Sequence, residues 1–280
     1  MIKIVAALDY LKKPVLPKEH GAWLILAVSL LVGSFAVKGS GGIWWGGALL
    51  ISIATLSGFM SFKPLLLSFY PPDNNDRARY ITWVIVCSLV AGACFIAVVL
   101  LSKLPGLAWF VVATATLSVV YFKSTKAKVQ KSLTVKILGI IGLSLACLAA
   151  SLVQERMISQ QAVTLYVLLV IWFIDRMIMV QKSLDTTRSK KSVYQCKQKL
   201  TELRIPLMVH IISLVAVSII GKIILSMGLL AVIPFLCATT WNLLNISGMI
   251  SFSNPMKTGF AEMRLGFAFC IITVLVWRLS

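Results

Sequence analysis

Long apolar runs separated by short polar stretches fill this chain from residue 21 onward. Nine segments stand out, near 21–37, 42–69, 80–102, 106–122, 134–153, 162–180, 206–220, 225–241 and 261–277. A helix needs about 20 residues to cross a hydrocarbon core of about 30 Å, and fewer where the bilayer thins. The pattern predicts an all-α, polytopic membrane helical bundle of nine transmembrane helices. No connecting stretch is longer than about 30 residues, which leaves no room for a soluble module and predicts one transmembrane domain over 19–280. Ahead of it lies a segment, 1–18, whose Asp9, Lys12 and Lys13 interrupt any signal-peptide core. Ile2, Val5, Leu8 and Leu11 suit a short interfacial helix there, with a frayed terminus as the other reading.

Charge then orients the pattern. With the N-terminus in the cytoplasm, 22 of the 27 Lys and Arg residues fall on the cytoplasmic side. They cluster before the first segment, from Lys63 to Arg79, from Lys123 to Lys136, from Arg176 to Arg204, and at Lys257 and Arg264. Only Lys38, Lys103, Arg156, Lys222 and Arg278 fall outside. With an odd number of spans, this bias predicts a cytoplasmic N-terminus and a C-terminus outside.

Composition narrows the partners. At 59% hydrophobic and 13% charged, the chain cannot cover itself with polar surface, so its solvent is lipid. The net charge of +18 sits in short loops at the membrane face, where anionic headgroups are the nearest counter-charge. No aromatic-interleaved basic stripe or helix-turn-helix pattern supports nucleic-acid binding. The six cysteines have no close ligand spacing, so neither a disulfide framework nor a metal site is expected, and no cofactor is implied.

Candidate chemistry lies at the cytoplasmic ends of the segments. Pro17-Lys18-Glu19-His20-Gly21-Ala22-Trp23 precedes the first, Phe62-Lys63-Pro64 lies late in the second, and Tyr121-Phe122-Lys123 ends the fourth. The sixth runs through Asp175-Arg176 to Gln181-Lys182, His210 lies about a turn into the seventh, and Glu262 and Arg264 open the ninth. A charge near the bilayer centre costs about 2.5–3.5 kcal/mol on insertion scales, so such residues turn toward protein or water and find partners. This predicts an inward-opening polar cavity with Glu19, His20, Lys63, Tyr121, Lys123, Asp175, Gln181, Lys182 and Glu262 as ligand-binding candidates. Each has a plainer role. Glu19 and His20 suit a helix start, Lys63 suits the headgroup level, Asp175 could tie its helix to a neighbour, and His210 suits a satisfied core position. Pro234 is expected to kink the eighth segment.

The seven residues Pro17–Trp23 resemble the Pro-(Arg/Lys)-Glu-His-Gly-Ala-Trp signature of the YwiC-like family of bacterial membrane proteins. Phe62-Lys63-Pro64, Tyr121-Phe122 and Gly259 to Glu262 are similar to that family's later pattern. The resemblance implies a multi-pass protein of the bacterial cytoplasmic membrane and carries no established activity. More distantly, Tyr121-Phe122-Lys123, Asp73–Arg77 and Asp175–Asp185 resemble motifs of the UbiA prenyltransferase superfamily, which implies a similar nine-helix fold. In that family carboxylates hold magnesium. Here Lys182 stands where an aspartate is needed and Tyr80 where the first motif ends in an acid, so no intact two-metal site is expected. The leading expectation is binding of an anionic or lipid-like ligand, with membrane lipids as partners. The alternatives are a divergent enzyme acting on an isoprenoid diphosphate and a small-molecule transporter. Against transport stands the lack of an internal repeat or of paired Gly/Pro-broken spans.

Overall fold

The structure is a computed structural model and describes residues 15, 17, 20–37, 42–71, 76–126, 132–188, 204–225, 232–246 and 255–279. Its helices are α1 (His20–Phe35), α2 (Trp45–Phe69), α3 (Arg77–Ser102), α4 (Ala108–Lys126), α5 (Leu133–Glu155), α6 (Gln160–Arg188), α7 (Arg204–Leu225), α8 (Ile233–Ile246) and α9 (Pro255–Leu279). A 3-10 turn, Pro105–Leu107, leads into α4. The bundle is all-α, and six of its helices are long and apolar enough to cross a membrane: α2, α3, α4 with its turn, α5, α6 and α9. The apolar stretches of the other three are shorter, at Gly21–Phe35, Pro206–Lys222 and Ile233–Leu244.

Local chemistry sets the helix ends. Ser132 caps α5 by accepting from the Val135 amide, and Ser159 caps α6 by accepting from the Ala162 amide. Lys103 and Arg156 take left-handed backbone (φ 57° and 60°) where α3 and α5 stop. Pro206, Pro234 and Pro255 all fall in the first turn of their helices, where a missing amide hydrogen is harmless. Pro234 therefore opens α8, not kinks it. Pro64 is the exception, buried within α2, which continues to Phe69.

Two clusters of apolar side chains hold the bundle, and α1 and α5 serve both. One joins Val28 and Val32 of α1, Cys147 of α5, Leu165 and Leu169 of α6, and Val217 of α7 to a stack of Trp172, Phe235 and Phe269. There Trp172 lies on Phe269 at 4.0 Å between centroids, with Phe235 edge-on to both. The other joins Leu26 and Leu30 to Ile51 of α2, Val98 of α3, Leu107 and Ala146, Ala149 and Ala150 of α5. In lipid, helices associate through close packing and hydrogen bonds more than through escape from water. The α1–α5 seam fits that rule. Ser144, Cys147 and Ser151 are buried along it, and Ser151 Oγ donates to the Gly33 carbonyl at 3.2 Å.

The outer faces of α3, α4 and α7 present Leu89, Leu100, Val112, Ile211 and Ile212, side chains suited to lipid. Contacts at one end pair the C-terminal ends of α1 and α9, where Arg278 Nε donates to the Phe35 carbonyl at 2.7 Å. At that end the Gln154 amide also clamps Trp44, accepting from its N–H at 2.8 Å and donating to its C=O at 3.2 Å. The candidate polar residues lie toward the opposite end.

Candidate functional site

A chamber of about 1560 Å³ opens between α1, α2, α3, α4, α5, α6 and α9. It exceeds the roughly 300–1,000 Å³ usual for drug-sized ligands. Its deeper wall is apolar and small-sided, with Ala54, Gly58, Gly92, Gly139, Ala146 and Ala149. Hydroxyls on that wall are turned back to their own helices. Thr55 donates to the Ile51 carbonyl, Thr114 to Phe110 and Ser118 to Thr114, each at 2.7 Å. They present little polarity to the interior.

Polar groups gather near the mouth, where Lys63, Tyr121, Ser124, Lys136, Arg176, Gln181 and Glu262 line the chamber. Lys136, in the first turn of α5, donates to Gln181 Oε1 of α6 at 2.9 Å. Arg176 reaches α9 through a two-point fork, Nε to Glu262 Oε2 at 3.0 Å and Nη2 to Oε1 at 2.6 Å. Its Nη1 donates to Asn242 Oδ1 of α8 at 2.7 Å. One guanidinium thus ties α6 to both α8 and α9. Phe62 packs edge-on to Tyr121 at 5.3 Å, and Trp23 to Phe59 at 5.0 Å, which holds the mouth ends of α1, α2 and α4 together.

Four sequence candidates therefore meet at one cavity: Lys63, Tyr121, Gln181 and Glu262. Asp175 does not join them. Successive helical positions diverge by about 100°, so Arg176 faces the chamber while Asp175 turns toward α7. There Oδ2 lies 2.8 Å from His210 Nδ1, and the carboxylate is 1% exposed. Lys123 is exposed at the end of α4 and is not among the lining residues. Glu19, the side chains of His20, Lys182 and Asp185, and residues 73–75 lie outside the described residues. Asp76 precedes α3 and binds locally, 3.7 Å from Arg79 and 3.4 Å from the Tyr80 hydroxyl. Among the described residues no group of three or more His, Cys, Asp or Glu is placed to hold a metal ion.

Sequence reading missed Lys136, Ser124 and Arg176 as lining residues. In the sequence Lys136 counts only as one more cytoplasmic charge, and its side of α5 is set by where Gln181 arrives. For Asp175 and Arg176 the sequence says only that one can look into the cavity while the other pairs across a helix interface, and the candidate set takes the acidic one. Nothing in the sequence of α6 says which of the two faces α9, since that depends on where Glu262 and His210 arrive.

The fold and this chamber define a multi-pass integral membrane protein, all-helical over the described residues, with a large open cavity that is polar at one end. Residues 16–151, from just before α1 through most of α5, match the model of the YwiC-like protein family, so that stretch is similar to that family. The Pro17–Trp23 block lies within it. No curated protein and no solved structure matches the chain.

Proposed function

We propose that this protein binds an anionic, lipid-like molecule in the chamber, with its head at the Lys63–Lys136–Arg176 mouth and its apolar part against the small-sided wall. The observation that carries this reading is the polarity gradient along a single cavity of about 1560 Å³. A small polar solute would leave the apolar depth unfilled, and a neutral lipid would leave Lys63 and Lys136 without a counter-charge among the described residues, whereas Arg176 already has Glu262. The distribution of Lys and Arg supports a mouth that faces the cytoplasm and a cytoplasmic N-terminus, and the likeness to the YwiC-like family supports the bacterial cytoplasmic membrane. Glu19 and His20, ahead of the chamber-lining Gly21, and Lys182, beside Gln181, are proposed to contribute at the same mouth.

Mass spectrometry of lipids retained by the purified protein tests this. An anionic amphiphile should copurify with the wild type. Charge-assisted hydrogen bonds are worth about 1.5–3 kcal/mol, so Lys63→Gln with Lys136→Gln should lower its occupancy at least about tenfold. Retained lipid that mirrors the bulk membrane and is unchanged by that double substitution would overturn the reading. Turnover of a bound isoprenoid diphosphate would instead favour the enzyme.

A further inference from the structure

None of the side chains around His210 lines the chamber, and they form a site of their own. His210 of α7 is 3% exposed and bridges two helices. Its Nδ1 lies 2.8 Å from Asp175 Oδ2 of α6, and its Nε2 lies 2.9 Å from Thr239 Oγ1 of α8. Thr239 Oγ1 also lies 3.2 Å from the Phe235 carbonyl one turn earlier. That hydroxyl has one hydrogen and two places to put it. The second carboxylate oxygen, Asp175 Oδ1, is buried without a hydrogen-bond partner among the described residues.

We propose that Asp175, His210 and Thr239 form a proton-binding site in the interior of the bundle, in which the Thr239 hydroxyl is the switch. With the imidazole neutral, Nδ1–H donates to Asp175 Oδ2, and Nε2 accepts the Thr239 hydrogen. A proton arriving at Nε2 reverses the second bond. Nε2–H now donates to Thr239 Oγ1, and the hydroxyl hydrogen rotates onto the Phe235 carbonyl. The Asp175 bond is kept throughout. Every hydrogen has an acceptor in both states, and no heavy atom moves. This matters because a buried polar group left unmatched in either state costs about 1–3 kcal/mol.

The electrostatics agree. With neutral imidazole the pair carries the carboxylate's charge among apolar side chains; with the proton bound it carries none. Burial favours arrangements in which opposite charges are paired. Among the described residues, the charged groups nearby do not compete for this role. Arg176, next to Asp175 on α6, is committed to Glu262 of α9 and Asn242 of α8. On α7, Arg204 and Lys222 are exposed. From α8 the facing group is the neutral hydroxyl of Thr239.

The chain has two histidines, so the site can be read directly. Protein labelled with nitrogen-15 histidine, reconstituted in lipid, is followed by NMR between about pH 5 and about pH 9, the range in which imidazoles titrate. Spectra of His210→Gln, or of His20→Gln should the first not fold, assign the signals. At high pH, His210 should carry hydrogen on Nδ1 alone. As pH falls, Nε2 should change from unprotonated to protonated while Nδ1 stays protonated. Thr239→Val, which removes the rotor at nearly constant size, and Asp175→Asn should each displace the midpoint. A His210 that keeps one protonation state across the range, or takes its hydrogen on Nε2 at high pH, would overturn the proposal. So would a midpoint unmoved in both variants.

Discussion

Two glycines that look alike in the sequence have opposite structural meanings. A Cβ at Gly33 would collide with the Cys147 carbonyl oxygen, backbone against backbone, where neither helix can yield cheaply. A Cβ at Gly139 would meet nothing within 4 Å, because that face of α5 looks into the chamber. Gly33→Ala should therefore cost about 1–3 kcal/mol through overpacking. Gly139→Ala should be neutral or stabilise by roughly 0.5–1 kcal/mol, the usual gain in a helix interior. Thermal unfolding in a fixed detergent distinguishes them, and a Gly33→Ala protein as stable as the wild type would refute the seam's tightness. Gly139→Leu extends the test to function. It should fold, but it should retain less of the amphiphile, because its side chain takes up space that the ligand's apolar part requires.

Between helices, hydrogen-bonded side chains add to what close packing supplies in lipid. The Arg176 fork joins α6, α8 and α9, with Arg176 6% exposed. Breaking a buried pair from one side strands a charge, at about 3–5 kcal/mol, whereas replacing both partners by apolar groups is often nearly neutral. Arg176→Met should thus destabilise strongly, and Arg176→Met with Glu262→Met should recover much of the loss. If the double variant were the worse of the two, the pair would not be the clamp described. Gln154→Leu, which leaves the Trp44 backbone groups without their side-chain amide, should cost about 1–3 kcal/mol and loosen the start of α2. The helices themselves were legible from apolar length and from the serines and prolines at their ends. Which face of α6 meets which neighbour was not. Asp175 and Arg176 are adjacent in sequence, and only the arrival of His210 on one side and Glu262 on the other assigns them. The inner wall was equally hidden, since Gly33 and Gly139 differ only in what a distant segment brings near them.

At the scale of the whole molecule, two independent features bear on orientation. Arg278 at the end of α9 meets Phe35 at the end of α1, so the two helices finish on the same side. The basic residues supply the second feature, with 22 of 27 assigned to the side on which α1 begins. The chamber's mouth, with Lys63, Lys136 and Arg176, lies toward that side as well. If the positive-inside bias governs insertion, α1 starts in the cytoplasm and the chain ends outside. A reporter active only in the periplasm, fused after Ser280, should be active. The same reporter placed between Arg188 and Lys199 should be silent, because that basic stretch follows the mouth end of α6. The reverse pattern would turn the mouth outward. It would leave the chamber as described but move its ligand from the cytoplasmic leaflet to the outer one.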